Sequence, residues 1–275
     1  MQYFSATFNA LNREAAFTWE LLGAGATQIR NANYASDGVY FQAFTSLSTG
    51  LERIGKLCLM LDHSIDHNGQ FPDRNYMKTK IGHDLVAIYQ QSKAIIAKHS
   101  ISMRFLQNLD DDPIHKAILA VLSEFAMGDR YSNIDLLTGG KRQNDPIASW
   151  FKRVDQPIFQ TRVSQKKKEA IERNASAVAA AIGQYAMVLH TSETGEEITD
   201  LEEASRMTGK YAAVARYRQL CVMQVIRYWS ELLCSLQFIA MKTGSQDIPF
   251  LNETFALFCN NDAYIRTRKT WDRIR

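Results

Sequence analysis

Tyr40-Phe-Gln-Ala-Phe44-Thr-Ser-Leu47-Ser-Thr-Gly-Leu51-Glu-Arg-Ile54-Gly-Lys-Leu-Cys58-Leu-Met-Leu61 places an apolar residue at alternating steps of four and three. Those steps track the 3.6-residue helical turn. Tyr40, Phe44, Leu47, Leu51, Ile54, Cys58 and Leu61 therefore form one continuous stripe along a helix of about five or six turns. Asp37 is placed to cap its free N–H groups. The turn formers and proline of His67-Asn-Gly69-Gln-Phe-Pro72-Asp73 predict its end between Asp66 and Gly69.

The same periodicity continues on the C-terminal side. A second helix starts near Gly82-His83-Asp84-Leu85 and turns Leu85, Ile88, Ile95 and Ile96 inward. Asp110-Asp111-Asp112-Pro113 marks a third start, because acidic groups suit the positive end of the helix dipole and an early proline needs no N–H. Its apolar face is Ile114, Ile118, Val121, Leu122 and Phe125. Gly128 and the Gly139-Gly140 pair bracket an interrupted segment, and the polar run from Thr138 to Pro146 reads as an exposed loop. Beyond it, a helix with an alanine-rich middle, Ala175 to Ala181, is expected from Ser164 to about His190. Ser192 to Glu197 reads as a loop. Thr199-Asp200-Leu201-Glu202 then opens a helical region reaching about Thr243, unless Gly209 divides it. After Pro249 come a short apolar stretch and a basic tail, Arg266 to Arg275. With only five prolines and few alternating β-branched runs, little or no sheet is expected. The expected fold is all-α: a helical bundle over residues 1–143 and a C-terminal helical extension over 144–275, separate or packed into the same domain.

Composition narrows the function classes. Apolar residues make up 46% and charged residues 22%, the balance of an ordinary globular chain. A formal charge of +3 is far below that of a histone-like nucleic-acid coat, although it permits a local basic patch. No cationic leader precedes an apolar run and no eighteen consecutive apolar residues occur, so a soluble cytoplasmic protein with no membrane association is expected. The four cysteines, Cys58, Cys221, Cys234 and Cys259, form no Cys-x-x-Cys motif, which suits reduced thiols buried as small hydrophobes.

Three segments together resemble the HEPN superfamily of helical domains found in prokaryotic toxin, antitoxin and virus-defence systems. Phe41 to Lys56 looks like that family's second helix, and Lys80-Ile-Gly82-His83-Asp84-Leu85-Val-Ala-Ile88-Tyr89 is similar to the start of its third. After one further helix, Gly128-Asp129-Arg130-Tyr131-Ser132-Asn133-Ile134-Asp135 stands where the family carries its polar motif. The resemblance covers about the first half of the chain. It implies metal-independent RNA cleavage, a cleft built from two protomers and hence a homodimer, and no cofactor. In that chemistry an Arg bridges phosphate oxygens while a His moves a proton at the 2′-hydroxyl. None of the six histidines follows an Arg at the family's spacing, and Asp135 stands there instead. On this pattern Arg130 would contact phosphate, Asn133 would orient a substrate oxygen, and Asp135 would accept a proton or hold Arg130. Arg216, Arg218, Arg266, Arg268 and Lys269 are candidate RNA-binding cations, with rings in Arg216-Tyr217-Arg218 and Arg227-Tyr228-Trp229 available for stacking.

Competing readings use the same residues. Arg130 can be paired with Asp129 or Asp135 while Asn133 caps a helix, leaving a non-catalytic helical module that assembles with a protein partner through an apolar face. His63 and His67, four apart and interleaved with Asp62 and Asp66, have the minimum geometry for a metal site, but Ser64 occupies the position of a metalloprotease glutamate. Gly23-Ala-Gly25 lacks the Lys-Ser/Thr of a phosphate loop.

Overall fold

The computed structural model describes residues 4–141, 144–243 and 247–271 and is an all-α bundle. Two long antiparallel helices, α1 (Ala6–Asn31) and α2 (Asp37–Asp66), pack along their length. A short α3 (Arg74–Tyr76) leads through a π-turn to α4 (Leu85–Lys98), and α5 (Pro113–Met127) and α6 (Ser132–Thr138) complete the first half. The second half contains α7 (Pro146–Trp150), α8 (Gln156–Arg162), α9 (Gln165–Ile182), a two-stranded hairpin of β1 (His190–Thr191) and β2 (Glu197–Ile198), α10 (Leu201–Lys242), α11 (Leu251–Phe255) and α12 (Asp262–Thr267).

The stripe from Tyr40 to Leu61 is fully buried, and so are the predicted faces of α4 and α5. Asp84 and Asp112 cap those two helices, accepting from Val86 and Ala87 and from Ile114 respectively. At α2 the boundary moves by one residue: Ser36 holds the cap position and Asp37 is the first helical residue, an acid in the first turn. Helix α1 buries Leu11, Ala15, Trp19, Leu22, Ala26 and Ile29. Small residues let it approach α2 closely. A Cβ on Gly25 would fall 2.6 Å from Leu47 Cγ, and one on Gly50 would fall 2.8 Å from Leu22 Cδ2. Two leucines thus sit over two glycines, each helix lending one of each.

One expectation about the second half is corrected. The helix expected to reach His190 ends at Ile182, after which a 3-10 turn and an extended segment lead into β1. Helix α10 is not divided at Gly209 but runs unbroken for 42 residues, because Ile171 of α9 packs directly against that glycine. Nor does the core stop at the loop after α6: α10 packs on α1, α2 and α5, and one hydrophobic cluster includes Leu51, Phe125, Trp150, Trp229 and Trp271. Arg142 and Gln143, where the boundary between the halves was placed, lie outside the described residues.

Candidate functional site

The Arg130 segment is a surface turn. Gly128, at φ 154°, ends α5, and a 3-10 turn over Asp129–Tyr131 passes into the seven-residue α6. Arg130 is exposed and stacks on its neighbour, with Cζ 5.0 Å from the Tyr131 ring centroid. Asn133 is also exposed. Asp135 is half-buried: its carboxylate lies against Gly140, whose N–H donates to the Asp135 carbonyl at 2.6 Å. The three residues share one turn and one short helix. The nearest histidine along the chain, His115, is about three turns back on α5, buried with Nε2 donating to Gln224 Oε1 at 2.9 Å. Around Arg130, α6 presents apolar side chains to solvent, with Ile134, Leu136 and Leu137 at 57%, 63% and 85% exposure.

Arg218 is not a surface cation, which corrects its assignment to RNA. It is fully buried, donating through Nη1 to Asp155 Oδ2 (2.7 Å) and Tyr40 Oη (3.0 Å) and through Nη2 to the Ala32 carbonyl (2.6 Å). The cause is helical phase. Residues two apart on a helix point about 200° apart, so Arg216 and Arg218 cannot share a face. Trp150 Nε1 donates to Asp155 Oδ1 at 3.1 Å, and the Tyr40 hydroxyl lies 3.4 Å from Glu193 Oε1. Burial raises the Asp155 carboxyl against the pull of Arg218, while burial and the nearby Asp155 charge push Glu193 up to about 7. Arg227, Tyr228 and Trp229 are likewise core residues. Arg227 lies 4.0 Å from the Phe105 ring centroid and pairs with Asp262 at 2.8 Å.

The other predicted cations do converge. The last turn of α1, the outer face of α10 and the segment after α12 meet around Gln219, which is buried with its amide fully used. Its Oε1 accepts from Arg30 Nη1 (2.7 Å), and its Nε2 donates to the carbonyls of Ala26 (3.0 Å) and Lys269 (3.1 Å). Arg30 also donates to the Arg266 carbonyl at 3.3 Å. Trp271 anchors the segment: it is buried, its backbone N–H donates to Thr27 Oγ1 at 2.9 Å, and its carbonyl oxygen lies 2.4 Å from where a Cβ on Gly23 would be. The first glycine of Gly23-Ala-Gly25 thus admits the chain's own C-terminal segment.

Arg216, Arg266 and Lys269 are exposed at this junction. Arg216 lies over Tyr217, 4.7 Å from the ring centroid. Arg268 is partly spent on its own segment, donating to the Thr270 carbonyl (2.7 Å) and the Tyr264 hydroxyl (2.5 Å). No ion pair among the described residues uses Arg30, Arg216, Arg266, Arg268 or Lys269. Partial burial and the neighbouring Arg216 charge lower the Arg30 pKa, as expected where cations gather. Next to Arg30 an open cavity of ≈ 410 Å³ is lined by Asn31, Asn33, Tyr34, Thr208 and Tyr211, within the size range of small-ligand sites. Arg273 and Arg275 of the basic tail lie outside the described residues. Arg30 and Gln219 had no motif to mark them, since only the fold joins positions this far apart in the chain.

His63 and His67, which have the spacing of a metal pair, stack on each other, ring centroids 3.8 Å apart at the exposed end of α2. Asp62 and Asp66 turn instead to Lys98, and His99 Nε2 lies 2.7 Å from Asp62 Oδ1. No group of three or more metal-ligating side chains is present among the described residues, and none of their helices is long and apolar enough to cross a membrane. The chain matches no family model, no curated protein and no solved structure.

Proposed function

We propose that this chain is an RNA-directed helical protein of the HEPN-like kind, working in the cytoplasm, and that it holds the phosphate backbone on the surface formed by Arg30, Arg216, Arg266 and Lys269. The supporting observation is that the three distant segments carrying these cations meet at one junction, through Arg30, Gln219 and the Arg266 and Lys269 carbonyls, where no ion pair among the described residues uses them. Mobile counterions occupy such a surface in the free protein, and a polyanion releases them on binding. Tyr217 and Tyr264 beside the cations suit stacking with unpaired bases. Arg130 is a second, separate phosphate contact and the residue on which cleavage depends. A prokaryotic defence or toxin system is the setting that the sequence resemblance implies.

Titration of a fluorescent single-stranded RNA at several salt concentrations tests the binding. Arg30→Ala and Arg216→Ala should each reduce the slope of log affinity against log salt by about one. Absence of RNA binding by the wild type, or variants whose slopes match it, would overturn the reading. Incubation of cellular RNA with chelator present tests the cleavage role, which requires products from wild type and none from Arg130→Ala.

The apolar face of α6 favours a second reading, a module that assembles through this helix with a second copy of the chain, giving a homodimer. Its exposed Ile134, Leu136 and Leu137, joined by half-exposed Tyr131 and Met127, are unusual on a monomer surface. Sedimentation decides: a wild-type dimer made monomeric by Leu137→Glu supports it, and a wild-type monomer removes it.

A further inference from the structure

Two of the four cysteines do not behave as buried small hydrophobes. Cys58 and Cys221 lie in the core, but Cys234 on α10 and Cys259, at the end of the 3-10 turn that follows α11, are only partly buried. Both line one open cavity of ≈ 370 Å³, together with Arg104, Glu231 and Ser235. Each thiol also shifts the other's protonation, Cys259 raising the Cys234 pKa and Cys234 lowering that of Cys259.

We propose that Cys234 and Cys259 form an oxidisable dithiol, a redox modification site that a small two-electron oxidant such as hydrogen peroxide reaches through this cavity and converts to a disulfide. The site stands independently of the RNA reading.

Cys259 is the attacking sulfur. Its pKa falls while that of Cys234 rises: the neighbouring Cys234 thiol is the main cause, and Arg227 and Arg104 act in the same sense against burial and the Glu231 charge. The Cys259 thiolate attacks one peroxide oxygen. The S–O bond forms, the O–O bond breaks, and hydroxide leaves to take up the proton that Cys259 gave to solvent, forming water. The Cys234 sulfur then attacks the Cys259 sulfenic acid, forming S–S, and the displaced hydroxide leaves with the Cys234 proton as a second water. Two thiols lose two electrons and one peroxide becomes two waters. The bond would tie the long α10 helix to the C-terminal segment.

The test is peroxide treatment of the full folded chain, then alkylation under denaturing conditions and peptide mapping. The expected result is a Cys234–Cys259 linked peptide and a mass loss of two hydrogens, with Cys58 and Cys221 still alkylated. Cys234→Ser should stop at a Cys259 sulfenic acid trapped by dimedone, and Cys259→Ser should leave residue 234 unoxidised at the same exposure. Wild-type mapping needs no variant to fold, so the proposal fails if peroxide leaves all four thiols free. It also fails if the linked peptide appears only after unfolding, or if Cys259→Ser oxidises as fast as wild type.

Discussion

Replacing Arg218 with Met removes the cation from a buried cluster while keeping much of the side-chain volume. In the wild type, Arg218 makes three donated bonds, to Asp155, Tyr40 and Ala32, and none of the groups involved reaches solvent. The variant leaves Asp155 with Trp150 and Tyr40 as donors and leaves the Ala32 carbonyl without this donor. Stripping one partner from a buried pair costs about 3–5 kcal/mol, which for a chain of this size lowers the unfolding midpoint by roughly 10 °C. The loss has a pH signature. With its counter-charge gone, the Asp155 carboxyl is raised further, so the folded state binds a proton that the unfolded state releases. Stability then falls as pH rises from the unfolded Asp range towards the folded pKa. Calorimetry of Arg218→Met should therefore show a larger deficit at pH 8 than at pH 5, and adding Asp155→Asn should recover part of the pH 8 loss. Arg216→Met, two residues away on the solvent face, is the control and should shift the midpoint by about 1 °C or less. Equal midpoints for the two Arg variants, or a pH-independent deficit, would refute the assignment of Arg218 to a charged core network.

Glu193 supplies a second pH test. Burial raises its folded pKa to about 7 from 4.5, so its contribution to stability is fully present below about pH 4.5 and is lost as pH rises to 7. The wild-type midpoint minus that of Glu193→Gln should fall between pH 5 and pH 7.5; a flat difference would show that the carboxyl is not held protonated. Helix approach can be tested with Gly25→Ala, whose new methyl meets Leu47 and should cost about 1–3 kcal/mol in urea unfolding. Gly38→Ala, with nothing within 4 Å, should instead stabilise α2 by up to about 1 kcal/mol. If the two alanine variants behave alike, α1 and α2 do not interlock through their glycines.

Where an amphipathic stripe is built from large residues, as in Tyr40 to Leu61, its period was readable without the structure. The helix α1 carries an equally regular series, Leu11, Ala15, Trp19, Leu22, Ala26 and Ile29, yet alanines and flanking glycines dilute the contrast with its polar face. What makes α1 pack well, its small residues, is also what hides it. Beyond Ile182 the sequence still resembles a helix, because Tyr185, Met187 and Leu189 prolong the apolar pattern of α9, yet all three face solvent. In the basic site, Arg216 and Arg218 could have been separated from sequence alone by helical phase. Arg30 could not, because no local pattern shows that the end of α1 meets the C-terminal segment.

Adjacent positions on α10 decide the shape of that junction. Arg218 reaches inward and holds the Ala32 carbonyl, which fixes the end of α1, while Gln219, one residue on, holds Arg30 from α1 and the Lys269 carbonyl from the C-terminal segment. The exposed cations therefore owe their spacing to two buried side chains that would touch no ligand. Replacing Arg216 removes one charge from a surface that otherwise keeps its geometry. Replacing Gln219 leaves the charges in place and frees the segments that carry them, so Gln219→Leu should weaken polyanion binding with little change in the number of charges neutralised. A salt slope near the wild-type value with a reduced affinity is the signature that separates positioning from direct contact.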